Sequence, residues 1–180
     1  FIEIARSIVN NYVLGNPFNE ETTLGPMANI RFADLVRRQI DEAIELGADP
    51  LIDSSLFKEN KGTYLMPQIL INVNHNMELM KNENFGPVIG IVKVSNDEEA
   101  IKLMNDSSYG LSASLWTNDI LKAEHIGNQI QTGTVFLNRC DYLDPALCWT
   151  GVKETGKGGS LSQIGYHNLT RPKSYHFKIN

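Results

Sequence analysis

The sequence predicts an α/β fold, an open, mainly parallel sheet covered by helices in three layers. Three observations predict it. Short runs rich in β-branched residues alternate with stretches whose apolar side chains repeat at helical spacing, the order of βαβ units. The 180 residues are 42% hydrophobic and 21% charged, enough for a sizeable core under a hydrated surface. No internal repeat interrupts the alternation.

Taken in order, Phe1, Ile4, Ala5, Ile8 and Tyr12 share one helical face with no capping residue before them. The chain is therefore expected to begin inside a helix, with further sequence on its amino-terminal side. Gly15, Asn16 and Pro17 break this helix, and a loop runs to Pro26. Ile30, Ala33, Val36, Ile40, Ala43 and Ile44 mark a second helix, closed by Gly47 in the left-handed position beyond its end. Leu51 and Ile52 form a short apolar piece. A polar loop through Lys61 and Gly62 then leads to a strand with Pro67, Ile69, Leu70, Ile71 and Val73.

Residues 77–80 read as a helical stretch, and Val88, Ile89, Ile91, Val92 and Val94 as a buried strand. Ser95 and Glu98 fit a capping box for a helix carrying Ala100, Ile101 and Met104. Leu111, Ala113 and Leu115 alternate with Ser112 and Ser114 as a strand; Ile120, Ala123, Gly127 and Ile130 give a helix face; Val135 and Leu137 lie in the next strand. Residues 1–150 are thus expected to form one domain body. Residues 151–180 form a tail, rich in glycine at first, with a terminal strand around residues 174–177.

Charge and cysteine usage narrow the function. Lys and Arg number 16 against 21 Asp and Glu, a net charge of −5, which disfavours nucleic acid and anionic membranes as partners. Cys140 and Cys148 make neither a C-x-x-C redox motif nor a zinc knuckle. They read as free thiols in a reducing compartment, which places the chain in the cytoplasm. The histidines have no H-x-x-x-H spacing, so no metal site is expected.

Several motifs fail on inspection. Residues 151–158 nearly spell the phosphate-binding G-x-x-x-x-G-K-[ST], but Gly158 removes the magnesium-binding hydroxyl and no apolar strand runs into them. They read as a glycine-rich turn. No G-x-S-x-G elbow is present, and Glu98 with Glu99 suits the first turn of a helix without a catalytic role. Glu83-Asn84-Phe85-Gly86-Pro87-Val88 is different. An acid and an aromatic, one residue apart, are fixed by a Gly-Pro turn before a strand, where the acid can accept from a sugar diol and the ring can pack on a flat heterocycle. An exposed acid in a plain helix-to-strand turn remains the simpler reading of these residues alone.

Residues 82–88 resemble the E-E-x-F-G-P-V motif of NAD(P)-dependent aldehyde dehydrogenases, and the likeness continues in order along nearly the whole chain. Leu14-Gly15-Asn16-Pro17 with Gly25-Pro26-Met27 resembles that family's L-G-x-P and G-P-hydrophobe segment; Gly47-Ala48, and Pro67 with Leu70, fall where expected. Asn105, Tyr109-Gly110-Leu111-Ser112-Ala113, Trp116-Thr117 and Asp119 are similar to N-x-x-x-Y-G-L-x-A and its continuation. Gly133-Thr134-Val135 and Asn138 are similar to the G-x-V-x-x-N strand.

The resemblance implies the fold of the aldehyde dehydrogenase catalytic domain, with NAD or NADP as coenzyme and a small aldehyde as substrate. It implies that Glu83 holds the ribose hydroxyls of the nicotinamide half and that Phe85 packs beside that half. Trp149 falls where an aromatic lines the aldehyde tunnel, with Leu143 on the same wall and Asn138 ending the strand below. The terminal strand is implied to mediate assembly into a homodimer or homotetramer.

Departures from the family pattern are equally specific. Cys148-Trp149-Thr150-Gly151 replaces P-F-G-G, Ser160 stands where many members have glutamate, and Asn82 replaces the first acid of the motif. The nucleophilic cysteine, the general-base glutamate and the coenzyme fold belong to family sequence expected before Phe1, so no catalytic residue is assigned in this chain. The expectation is the carboxyl-terminal part of an aldehyde dehydrogenase, inactive in isolation, with a non-catalytic folding or assembly module as the alternative.

Overall fold

A computed structural model describes residues 1–140 and 142–179. The chain falls into two compact units, Phe1–Ser95 and Asn96–Asn180.

In the first unit, helix α1 (Ile2–Asn10) begins at Phe1 with no side-chain cap. Helix α2 (Ile30–Glu45) is capped by Asn29, whose side chain accepts from the Phe32 N–H at 3.0 Å. Its end is closed by Gly47, whose φ of 101° is the left-handed value expected there. Strand β1 (Asp49–Pro50), a 3-10 turn (Ser54–Leu56), strand β2 (Gln68–Ile71), the short helix α3 (Glu78–Lys81) and strand β3 (Val88–Ile91) follow. The sheet order is β1-β2-β3, with β1 antiparallel and β3 parallel to the central strand.

Consecutive side chains of β2 point to opposite faces and each meets its own cluster. Leu70 packs with Val36 and Ala43 of α2, and Ile69 with Leu14, Phe57 and the α1 residues Ala5 and Val9. This sheet is therefore covered on both sides. Burying each such side chain stabilises by about 1.5–3 kcal/mol. Strand β3 departs from the expectation of full burial: it stops at Ile91, and Ile89 is 47% exposed. It is the last strand of the sheet order, so part of it has no neighbour within the unit.

The second unit contains helix α4 (Asp97–Asn105), strands β4 (Tyr109–Gly110) and β5 (Ser112–Leu115), helix α5 (Ile120–Gly127) and strand β6 (Thr134–Leu137). Strands β7 (Trp149–Thr150), β8 (Val152–Lys153) and β9 (Gly159–Ser160) and helix α6 (Ser162–Asn168) follow. Strands β5 and β6 pair in parallel around the α5 crossover, with Ala113, Ile126 and Ile130 as the core. The pairs β4-β8 and β7-β9 are antiparallel. Among the described residues, the two four-residue ladders are parallel and the two-residue ladders antiparallel.

One expectation, a helix start, needs correction. Helix α4 is capped by Asn96, which accepts from the Glu99 N–H at 2.8 Å, one residue later than the Ser95 and Glu98 box. The later start places Asp97, Glu98 and Glu99 together in the first turn, where the helix dipole favours anions. Residues 174–177 are exposed and form no ladder. A strand needs an edge to take its N–H and C=O groups, and among the described residues none does so.

Candidate functional site

The turn between α3 and β3 sets Glu83 and Phe85. Gly86 lies so close to α2 that an added Cβ would sit 2.8 Å from Val36 Cγ2. The Gly86 carbonyl accepts from the Val88 N–H, and the Pro87 carbonyl from the Gln68 N–H, both at 2.8 Å. With its base tied down, the turn holds Phe85 at a φ of 30°, a value that bulky residues rarely adopt. Its ring is 79% exposed and Glu83 is exposed beside it. A strained backbone that displays an apolar ring in the open gains nothing from packing and is suited to a ligand.

In the second unit, Asn138 follows the carboxyl end of β6, Leu143 lies in the loop beyond it and Trp149 begins β7. Asn138 ends β6 in a left-handed conformation, φ 54°. Its side chain accepts from the Thr117 N–H at 2.9 Å and donates to the Thr117 carbonyl at 2.8 Å, joining the exits of β5 and β6. Trp149 lines a cavity of about 210 Å³ together with Phe136, Leu147, Cys148 and Leu161. Leu161 is itself held at a φ of 61°. Leu143 is 56% exposed and is not among the residues lining that cavity.

The glycine-rich turn is used structurally. Thr155 Oγ1 accepts from the Gly110 N–H at 2.7 Å, and Lys153 Nζ donates to the carbonyls of Asn105 and Ser107, at 2.8 Å each, holding the end of α4. Thr150 Oγ1 donates to the Gly158 carbonyl at 2.7 Å, and the Asn168 amide donates to the Gly159 carbonyl. Ser160 pairs through its backbone with Trp149. Both cysteines are free thiols, Cys140 exposed and Cys148 partly buried. Among the described residues no group of three His, Cys, Asp or Glu side chains could hold a metal ion, and no helix is long and apolar enough to cross a membrane.

Two residues at this end escaped the sequence reading. Arg139 and Tyr142 line the cavity with Trp149. A cation and an aromatic three apart, directly after a strand-ending asparagine, were the signal that could have found them.

Parallel strand pairs with helices between them define an α/β protein. Comparison with known proteins makes the class specific. The model of the aldehyde dehydrogenase family matches residues 1–175. The succinate semialdehyde dehydrogenase [NAD(P)+] Sad of Escherichia coli is 35% identical over 156 residues, 87% of this chain and 34% of that protein. The betaine aldehyde dehydrogenase of Bacillus subtilis is 33% identical over 170 residues, 89% of this chain and 33% of its own. The crystal structure of succinic semialdehyde dehydrogenase from Streptococcus pyogenes, in complex with NADP+, superimposes with a TM-score of 0.82 at 32% identity, covering 91% of this chain and 36% of that one. The chain belongs to the aldehyde dehydrogenase family, and it spans about a third of the length of the curated relatives it matches.

Proposed function

We propose that this chain is the carboxyl-terminal part of a cytoplasmic, NAD(P)-dependent aldehyde dehydrogenase that oxidises an aldehyde to a carboxylic acid. Residues 1–150 would belong to its catalytic domain and residues 151–180 to its assembly tail. The nucleophilic cysteine and the general base would come from sequence preceding Phe1, so the chain alone is inactive. The observation that carries this reading is the Glu83-Phe85 turn, an open acid and an open ring on a strained backbone, within a family match that extends over residues 1–175.

The residues present suit a nicotinamide coenzyme. A free carboxylate accepts from both hydroxyls of a ribose, and an exposed ring offers a flat apolar surface. When bound, the coenzyme accepts a hydride from the substrate carbon. Glu83 would fix the ribose and Phe85 would shield one side of the nicotinamide half. Trp149 would shape the aldehyde tunnel, with Leu143 further out on the same wall. The tail, which has no ladder of its own, would pair with a neighbouring subunit of a homodimer or homotetramer.

Aldehyde-dependent reduction of NAD or NADP tests this directly. The 180-residue chain should give none, and the protein encoded with its upstream reading frame should be active. In that longer protein Glu83→Gln should weaken coenzyme binding roughly ten- to a hundredfold, the loss of charge-assisted hydrogen bonds. Activity of the short chain, or none in the longer protein, would overturn the proposal. The two relatives act, by their names, on aldehydes of opposite charge, so likeness alone leaves the substrate's charge open.

A further inference from the structure

The cavity beside Trp149 carries a cation, Arg139, that forms no ion pair among the described residues. Arg139 follows Asn138 directly, and its backbone is pinned: Asn138 N–H donates to the Leu115 carbonyl at 2.8 Å, and Ser114 Oγ donates to the Arg139 carbonyl. Arg139 therefore stands at a fixed point beyond the carboxyl ends of β5 and β6, where ligands of open α/β sheets collect. Its guanidinium carbon lies 3.9 Å from the centroid of the Tyr142 ring. Stacking on that ring orients the planar fork while leaving its N–H edges open.

Among the described residues no carboxylate forms an ion pair with Arg139. Asp144 lines the same cavity; its Oδ1 accepts from the Ala146 N–H at 2.9 Å, and it makes no ion pair with Arg139. The cavity of about 210 Å³ is smaller than the roughly 300–1,000 Å³ of drug-sized sites, so it suits a short ligand. A planar, two-pronged donor matches a carboxylate better than it matches any neutral group.

Building on the aldehyde-oxidising reading above, we infer that Arg139 is a specificity-determining residue. It selects short aldehydes that carry a carboxylate at the far end, the semialdehydes of dicarboxylic acids. Arg139 binds the carboxylate, Tyr142 holds the guanidinium in plane, and Trp149 covers the intervening methylenes.

The test uses the longer protein with 4-oxobutanoate and its neutral amide, two aldehydes of equal length and shape. The wild type should favour the anion by roughly ten- to a hundredfold in kcat/KM, chiefly through KM, as expected for a charge-assisted pair. Arg139→Gln should abolish the preference and Arg139→Lys should restore part of it. Thermal unfolding of each variant separates misfolding from lost selection. Oxidation of both aldehydes without preference, or a preference that survives Arg139→Gln, would overturn the role of Arg139 and leave aldehyde oxidation standing. An equal loss on both substrates would make Arg139 structural and overturn it too. Oxidation of neither would sink the enzymatic reading and this one with it.

Discussion

Gln68 and Ile52 are joined by a pair of hydrogen bonds that copies the exchange between two strands. Gln68 Oε1 accepts from the Ile52 N–H at 2.9 Å, and its Nε2 donates to the Ile52 carbonyl at 3.1 Å. The same oxygen accepts from the N–H groups of Leu51 and Ile69. A buried side chain thus prolongs the β1–β2 pairing beyond Pro50.

Gln68→Leu should accordingly destabilise the chain by about 2–4 kcal/mol, because it leaves several buried main-chain groups unpaired at similar side-chain volume. Urea unfolding checks this. A loss below about 0.5 kcal/mol would mean that water replaces the amide.

Gly86→Ala should cost about 1–3 kcal/mol, since the new Cβ meets Val36 at 2.8 and 3.1 Å inside a packed layer. Adding Val36→Ala should relieve the clash, so the two costs should fall short of additivity by about 0.5 kcal/mol or more in a double-mutant cycle. Strict additivity would show that the turn moves away from α2 freely.

Asn138→Gly keeps the left-handed backbone and loses the two bonds to Thr117, for an expected cost of about 1–2 kcal/mol. Asn138→Ala should cost about 1 kcal/mol more, the penalty of a left-handed Cβ. Equal melting temperatures for the two variants would remove backbone strain from the account.

Lys122 and Asp97 tie α5 to the start of α4 at 2.7 Å. The hydrogen bond to Asp97, and then its charge, raise the Lys122 pKa above 10.5. The folded-state value therefore exceeds the unfolded one. The stabilisation is complete below pH 10.5 and is lost as the pH rises through the folded-state value. The stability gap between wild type and Lys122→Gln should be level at neutral pH and close in alkali. A gap that persists there would assign the effect to packing. Both groups are partly exposed, so salt should shrink the gap as well.

The elements that could be read from the sequence are those whose pattern is enforced by burial. The apolar face of α2, Ile69 and Leu70 in β2, and the parallel β5–β6 pair each repeat with the period of their structure. The start of α4 was misplaced because Ser95 and Asn96 are equivalent caps, each with a glutamate three residues on, and local chemistry does not separate them. The terminal strand was anticipated from alternation, which describes a face, and its edge was assigned to a neighbouring subunit by family likeness. At the candidate site, Glu83 and Phe85 were legible only through family likeness, since nothing in a phenylalanine announces a positive φ. Arg139 was passed over although Tyr142 stands only three residues on, because spacing alone does not announce that its guanidinium stacks on that ring beside Trp149.

The pairing of Gly110 with Val152 and of Tyr109 with Lys153 has a bearing on synthesis. The ladder between β2 and β3 spans one short crossover and can close as soon as Ile91 has cleared the ribosome. Strand β4 must wait until Lys153 emerges, and the clamp of Lys153 on α4 waits with it. The nascent chain therefore carries a paired first unit and an open second one until Lys153 has emerged. Its period of greatest exposure to mispairing and chaperone capture falls between the emergence of Ile91 and that of Lys153.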